Sequence, residues 1–153
     1  MSTVPKSKER DLLPGLLSMN EITDYQPFYE VRYGRKRIDL LMVSIHKPWI
    51  AFELKLQDWK RALWQSIINK EIADICFVAL HERFISRAMN QKGLFEYYGI
   101  GLISVAQSSA AVVLPGVTVH NLTRRRQQVL TAIELGIGKR TDYSFETVPV
   151  LFP

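Results

Sequence analysis

The sequence predicts an α/β fold, a three-layer sandwich in which helices cover both faces of one mixed β-sheet. Three apolar runs of strand length follow one another closely between residues 28 and 55. The second half of the chain alternates helical and strand patterns, and each strand–helix–strand unit requires a parallel crossover. A length of 153 residues fits one domain. We therefore predict a single domain over residues 1–153, with its core at about 28–106 and tails at 1–8 and 141–153.

The first half of the chain predicts one helix and three strands. Leucines recur on one side of residues 7–19, which is typical of a helix, although Pro14 and Gly15 should kink or break it. Alternating and apolar patterns predict strands at 28–33, 37–44 and 49–55. A tight turn at Gly34 joins the first two strands into a hairpin, and the run from His46 to Pro48 separates the second from the third.

The second half of the chain predicts helices and strands in alternation. Trp59, Leu63 and Ile67 recur at four-residue steps, which indicates a helix over residues 57–72. The continuous apolar run at 74–80 is typical of a strand that is buried on both faces. Further patterns predict a helix at 82–91, strands at 102–106 and 110–114, and a last helix at 121–135 that stops at Gly136.

The charge balance favours an anionic partner. The net charge is +5 and the sequence pI is about 9.4, which is most often a sign of nucleic-acid binding. The basic residues form two groups, which we predict to contact nucleic acid: Arg32, Arg35, Lys36 and Arg37 in the hairpin, and Arg124, Arg125 and Arg126 near the start of the last helix. The alternative interpretation is two solvated segments, a turn and a helix end.

Cysteine usage and hydropathy predict a cytoplasmic protein without a membrane partner. Cys76 is the single cysteine, so the chain can form no internal disulfide. The first ten residues lack the apolar segment of a signal peptide, and no apolar run approaches the ~18 residues of a membrane span.

Three charges interrupt the apolar strands at 37–44 and 49–55. Side chains alternate along a strand, so Glu53 and Lys55 point to one face, which they share with Trp49 and Ala51. A turn centred near residues 46–47 would place Asp39 opposite about residue 54. We therefore expect Asp39, Glu53 and Lys55 to converge at one end of the sheet.

These residue types suit a metal-assisted attack on phosphate. Two neighbouring carboxylates repel each other unless positive charge lies between them, and Lys55 supplies one charge against two. Mg²⁺ takes one or two carboxylates together with waters and phosphate, so Asp39 and Glu53 could hold it with the backbone carbonyl of Leu54, and Mn²⁺ could replace it. Such an ion polarises a phosphodiester and lowers the pKa of its bound water, which Lys55 could orient or deprotonate. The alternative is a solvated ion-pair cluster worth ~0–1 kcal/mol.

Short matches on the two strands carry a resemblance to a known group of enzymes. I-D stands at Ile38-Asp39, and F-E-L-K spans residues 52–55. In these positions the chain resembles the PD-(D/E)xK nuclease superfamily, which has the restriction-endonuclease-like fold, with Ile38 in place of the proline. The helix that follows carries Gln65 in A-L-W-Q, similar to a glutamine that supports the site in many Holliday-junction-resolvase-like and restriction-enzyme-like members. The similarity covers about residues 28–106.

The resemblance implies a Mg²⁺-dependent endonuclease that hydrolyses DNA. It assigns catalytic roles to Asp39, Glu53, Lys55 and Gln65. Many members add a metal-binding glutamate from the first helix, for which we favour Glu9; Glu21 and Glu30 are the other candidates. The fold often works as a dimer, so a homodimer is a further expectation.

Two other function classes stay open at the level of the sequence. One is a nucleic-acid-binding or assembly protein that retains the nuclease fold without turnover, which would bind DNA in a salt-sensitive way. The other is a metal-independent interaction domain, in which the same charges form surface ion pairs.

Overall fold

A six-stranded mixed sheet forms the centre of the molecule. The computed structural model describes residues 8–136, so the tail predicted at 141–153 and all but the last residue of the one at 1–8 lie outside the described residues. The strands lie side by side in chain order: β1 (Gln26–Tyr33), β2 (Lys36–Val43), β3 (Ile50–Lys55), β4 (Ile75–His81), β5 (Gly101–Val105) and β6 (Ala110–Leu114). Strands β1, β2 and β3 are antiparallel, β3, β4 and β5 are parallel, and β6 is antiparallel to β5. The predicted α/β fold with a mixed sheet is confirmed.

Five helices accompany the sheet in the described part of the chain. They are α1 (Leu13–Leu17), α2 (Trp59–Asn69), α3 (Ile85–Met89), α4 (Lys92–Tyr98) and α5 (Leu122–Leu135), with 3-10 turns at Glu9–Leu12, Asn20–Ile22 and Glu82–Phe84. None of the described helices is long and apolar enough to cross a membrane. The helix predicted at 7–19 is broken, as Pro14 indicated: a 3-10 turn precedes α1, and the proline lies in the first turn of α1, where its missing N–H costs little.

Three helical elements differ most from the prediction. The helix predicted over 57–72 ends at Asn69, and that predicted at 82–91 is a 3-10 turn followed by the short α3. Helix α4 was not predicted. It ends at Gly99, whose φ of +71° is the left-handed conformation that commonly terminates a helix.

Apolar clusters lie on both faces of the sheet. On one face α2, α3, α4 and α5 cover a cluster that includes Trp49, Ala51, Leu63, Val78 and Phe95. On the other face the N-terminal helical segments cover a cluster that includes Leu12, Leu16, Leu40, Phe52 and Ile103. The sheet is therefore buried on both sides, which explains why its central strands are almost continuously apolar.

Helix α1 lies against the β5–β6 connection at Gly15. A Cβ atom at this position would collide with the carbonyl oxygen of Ala106 and would lie 2.8 Å from that of Ser109. The absence of a side chain therefore allows the N-terminal segment to approach the sheet.

The alternation of side chains along β3 agrees with the prediction. Trp49 and Ala51 belong to the cluster under α2, whereas Ile50, Phe52 and Leu54 belong to the cluster on the opposite face. This order fixes the face on which Glu53 lies.

Strands β1 and β2 break this alternation near Glu30. Phe28 and Val31 lie in one cluster although they are three residues apart, and so do Ile38 and Leu41 on β2. A strict period of two would place the members of each pair on opposite faces. Glu30 has a φ of +52°, a left-handed conformation that is unusual for a residue other than glycine, so the slip coincides with a local distortion of the strand.

Arg124 has a structural position in α5 and does not fit the prediction that it contacts nucleic acid. Asn121 caps the helix by accepting the Arg124 N–H at 2.6 Å. The residue is 7% exposed, and its guanidinium donates to the backbone carbonyls of Lys70 and Val119. Its charge thus ties α5 to the segment after α2. Arg126, in contrast, is exposed.

Substitution of Arg124 should therefore affect stability. In Arg124→Ala two carbonyls lose their donor, and we expect the free energy of unfolding to fall by about 2–4 kcal/mol. Urea unfolding followed by circular dichroism measures this change. The matched control Arg126→Ala should stay within about 0.5 kcal/mol of the wild type. Equal losses in the two variants would contradict the structural role of Arg124.

Candidate active site

The two predicted carboxylates meet on neighbouring strands. The β2–β3 register pairs Leu40 with Phe52 and Leu41 with Ala51, and its continuation places Asp39 opposite Glu53, one residue from the expected partner. The Asp39 Oδ2 atom accepts the backbone N–H of Leu54 at 3.0 Å. Asp39 therefore lies where the hydrogen-bond ladder of β2 and β3 ends, with its carboxylate in place of a strand carbonyl.

Glu53 is buried, and its carboxyl is hydrogen-bonded on two sides. The residue is 1% exposed; the Asn69 Nδ2 atom donates to Glu53 Oε1 at 2.8 Å, and the Asp39 carboxylate is a second hydrogen-bond partner. Burial raises the pKa of Glu53 to about 8, the hydrogen bond and the charge of Asp39 act in the same direction, and Asn69 opposes them. At neutral pH Glu53 therefore holds a proton that keeps the two carboxyl groups together.

The predicted convergence of three charges is met by Asp39 and Glu53 only, because the ion-pair partner of Lys55 is Glu9, in the N-terminal segment that covers the other face of the sheet. The Lys55 Nζ atom lies 3.3 Å from Oε1 of Glu9, and its side chain is only 16% exposed. Glu9, Asp39 and Leu54 all line one cavity of about 520 Å³. The first helical segment thus brings the favoured glutamate to the same cavity as Asp39, and Glu30 lines this cavity as well.

A second cavity of about 330 Å³ borders Asp39 from the side of α2. Gln65, Ile68 and Asn69 line it together with residues of the β1–β2 hairpin. The Oε1 atom of Gln65 is buried there without a hydrogen-bond partner among the described residues. Gln65 thus lines a cavity together with Asp39, and its supporting role stays a prediction.

Asn69 is a site residue that the sequence analysis missed. It is 2% exposed, and the hydroxyl of Tyr33 lies 3.5 Å from its Oδ1 atom and 3.3 Å from the carbonyl oxygen of Ile68. Asn69 follows Gln65 by four residues, so both lie on one face of α2. A polar residue on the helix face that packs on the sheet was the available signal.

At the predicted metal site, we expect Asn69→Ala to weaken the binding of a divalent cation without preventing folding. Glu53 would lose the donor that fixes one of its oxygens, and loss of such a supporting hydrogen bond typically costs roughly 10–100-fold in metal affinity. Calorimetric titration with Mn²⁺ measures the change, with Asn90→Ala, at the exposed end of α3, as control. An unchanged dissociation constant in Asn69→Ala would show that Glu53 needs no such support.

The basic residues of the hairpin differ in their surroundings. Arg37 lies 3.8 Å from both Asp39 and Glu30, and Arg35 lines the cavity on the α2 side. Lys36 lines that cavity too, although its Nζ atom is 2.9 Å from Glu71, and Arg32 lies opposite Arg37 on β1. Arg37 is therefore paired with Asp39, and Arg35 and Lys36 line a cavity together with it.

The basic residues of α5 lie elsewhere. Arg125 lines a small cavity with Asp74 and Gln128, near the start of β4, whereas Glu53 and Lys55 stand near the end of β3. Because β3 and β4 are parallel, this small cavity lies toward the opposite end of the sheet from the carboxylate pair.

The donor atoms present are compatible with Mg²⁺. Within residues 8–136 no group of three or more His, Cys, Asp or Glu side chains is arranged to hold a metal. Asp39 and Glu53 nevertheless supply two carboxyl groups, which is the number that Mg²⁺ commonly takes from a protein when water and phosphate complete its shell. The buried, unpartnered Oε1 atom of Gln65 beside them is an oxygen that could accept a hydrogen bond from such a water.

Fold and site together define an α/β protein with a six-stranded mixed sheet, in which the buried Glu53 on β3 is paired with the partly exposed Asp39 on β2. No protein-family model matches the chain, and no curated protein does. Among solved structures it is similar to the SPO1766 protein of unknown function from Silicibacter pomeroyi, with a TM-score of 0.59 and 16% sequence identity over 90% of this chain and 94% of that one. At this identity the similarity shows a shared fold only, so any argument about function rests on the residues of the site.

Proposed function

We propose that this protein is a Mg²⁺-dependent nuclease of the restriction-endonuclease-like fold that hydrolyses phosphodiester bonds in DNA. The observation that carries the proposal is the pairing of Asp39 with the buried Glu53 on adjacent strands. Burying the Glu53 carboxyl against the carboxylate of the partly exposed Asp39 is unfavourable, and a structural role would be better served by apolar side chains. The basic hairpin around Asp39 supports phosphate as the partner.

The coverage of both sheet faces supports the finer fold assignment. Helical segments pack on each side of a sheet whose first three strands form an antiparallel meander and whose third, fourth and fifth strands are parallel. This arrangement agrees with a three-layer α/β/α sandwich.

The proposed chemistry divides the roles among the residues of the site. Asp39 and Glu53 would hold Mg²⁺, with the Leu54 carbonyl as a further candidate ligand, and the bound ion supplies charge stabilisation and a more acidic water. Asn69 holds one oxygen of Glu53 in place. Lys55, which is paired with Glu9, would stabilise negative charge on the phosphate or, in its neutral form, accept the proton of the attacking water.

Contacts with the rest of the nucleic acid would come from the hairpin. Arg35 and Arg37 border cavities that include Asp39, and Arg32 and Lys36 extend the positive surface along the same hairpin. Arg125 and Arg126 would contact only DNA that extends beyond the site. Arg124 is left out of this interface because its guanidinium is bonded within the chain.

A nucleic-acid-binding or assembly protein without turnover is the second candidate. The ion pair between Lys55 and Glu9 favours it, because Lys55 then directs its ammonium to Glu9 and not to the carboxyl pair. In this alternative the basic hairpin binds DNA and the carboxyl pair is a remnant of the fold.

Cleavage assays separate the two candidates. Wild-type protein should cut plasmid, linear or branched DNA only when Mg²⁺ or Mn²⁺ is present, and Asp39→Asn should lower the rate by at least roughly 100-fold. Asp24→Asn, which alters an exposed ion pair with Lys47, is the matched control and should retain full activity. Equal trace activity in wild type and Asp39→Asn would defeat the nuclease proposal, and salt-sensitive DNA binding without cleavage would support the second candidate.

The compartment and the assembly state belong to the same proposal. We propose a cytoplasmic protein, in line with a lone cysteine, Cys76, which lies buried in β4; burial raises the pKa of its thiol to about 12.

A homodimer would let two sites cut both strands of a duplex. Analytical ultracentrifugation of the full chain, with and without DNA, measures this directly.

A further inference from the structure

The 520 Å³ cavity beside Asp39 is larger than a metal ion and one phosphate group require. It lies between the N-terminal segment at residues 8–13 and β1, one of the two edge strands of the sheet, and it reaches Asp39 and Leu54. Its volume falls in the range of about 300–1,000 Å³ that is typical of sites for small organic ligands. The cavity therefore has room for a nucleoside next to the carboxyl pair.

One part of the cavity wall is aromatic and apolar. Tyr29 lines the cavity and is 50% exposed, and Leu13 of α1 lines it as well. Tyr29 directly precedes Glu30, the residue at which β1 is distorted. A half-exposed aromatic ring beside a phosphate-binding site offers a face on which a nucleobase can stack, whatever its sequence.

The polar part of the wall carries charges of both signs. Lys8, Arg10 and Arg37 line the cavity and could contact the phosphates on either side of a bound nucleoside. Glu9 and Glu30 line it too, and carboxylates accept hydrogen bonds from the amino groups of bases. The cavity thus combines what a base and its phosphates need.

We propose that this cavity binds one unstacked nucleobase while the adjoining phosphate lies at Asp39 and Glu53. The inference rests on the proposed function and deepens it by naming the form of the substrate. A base inside an intact duplex is stacked and paired, so it reaches such a cavity only after extrusion, which costs free energy. Single-stranded DNA, or an unpaired end or flap, is therefore the substrate class that this site takes.

Binding measurements without divalent metal test the proposal independently of cleavage. We expect a fluorescent single-stranded oligonucleotide to bind at least roughly tenfold more tightly than the same sequence as a blunt duplex. Tyr29→Ala should weaken single-strand binding roughly tenfold, equivalent to about 1.4 kcal/mol, and leave duplex binding unchanged. Tyr29→Phe should bind like the wild type because it keeps the ring. Tyr97→Ala, which removes an 80% exposed ring from α4, is the matched control and should change nothing.

The outcomes distinguish this inference from the proposed nuclease. If Tyr29→Ala leaves single-strand binding unchanged, or weakens duplex binding equally, the base-binding cavity is wrong even if metal-dependent cleavage is observed. If Tyr29-dependent binding of single strands is found but no substrate is cut with Mg²⁺ or Mn²⁺, the cavity stands and the nuclease proposal fails. Thermal melting of each variant shows whether the fold is retained.

Discussion

Glu53→Gln is expected to abolish divalent-metal binding and to stabilise the metal-free protein at alkaline pH. The first effect follows because an amide is a poor ligand for Mg²⁺ compared with a carboxylate. The second follows from the pKa of Glu53, which burial and Asp39 raise from 4.5 to about 8. The folded state therefore retains a proton that the unfolded state releases, so the wild type loses stability as the pH rises from about 4.5 to about 8. Glutamine carries no proton to lose.

The difference between the two proteins should thus depend on pH. Below about pH 4.5 Glu53 is protonated in both states, and the two melting temperatures should be close. Because each pKa unit corresponds to about 1.4 kcal/mol, at pH 9 we expect Glu53→Gln to be more stable by about 2–5 kcal/mol, which is roughly 4–20 °C in Tm for a chain of this size. Differential scanning calorimetry at pH 4, 7 and 9, in the presence of EDTA, measures this. The exposed Glu96→Gln on α4 serves as control and should show no such pH dependence. A lower Tm for Glu53→Gln at pH 9, or retained Mn²⁺ binding, would refute this account of the carboxyl pair.

Binding of Mn²⁺ to the wild type should release close to one proton per ion at pH 7. Because the pKa of Glu53 is about 8, its carboxyl is protonated at a lower pH, and this proton must leave before both carboxylates can coordinate a cation. We therefore expect the apparent affinity to rise about tenfold per pH unit between pH 6 and 8 and to level off above pH 8.

Calorimetry in buffers of different ionisation enthalpy counts the released protons. In Asn69→Ala the proton should be held more tightly, because the Asn69 hydrogen bond lowers the pKa of Glu53, and the affinity should level off at a higher pH. The exposed Asn90→Ala should follow the wild-type curve. A Mn²⁺ affinity that stays constant from pH 6 to 9 would mean that Glu53 does not coordinate the ion.

The position of the carboxyl pair could be predicted from the sequence because strands have a fixed period. A spacing of two residues is enough to put Trp49, Ala51 and Glu53 on one face of the strand. The short connection between β2 and β3 then places Asp39 opposite Glu53, one residue from the predicted partner. Local rules of this kind depend on neither partner nor packing. They do not extend to the function, for which the sequence supplies an expectation only.

Other features depend on tertiary packing and could not be read from spacing. The break in side-chain alternation at Glu30 coincides with a left-handed backbone conformation, which a glutamate in the sequence does not predict. In the sequence, Arg124 cannot be distinguished from its exposed neighbour Arg126. Its structural role depends on hydrogen bonds to the carbonyls of Lys70 and Val119, which only the fold brings near it. Asn69 was recognisable as a polar residue on a buried face, but its partner Glu53 is sixteen positions away and follows only from the fold.

The hydrogen bond between Leu54 and Asp39 makes the sheet sensitive to whatever binds at the site. One oxygen of Asp39 accepts the Leu54 N–H, so a cation that draws on this carboxylate changes the electron density at that amide. The amide resonance of Leu54 is therefore an intrinsic spectroscopic reporter, which registers occupancy of the site without any substrate. The same hydrogen bond shows which inactive variant is more informative. Asp39→Asn keeps an oxygen that can accept the Leu54 N–H. Asp39→Ala removes this acceptor, so a loss of stability would accompany the loss of a metal ligand.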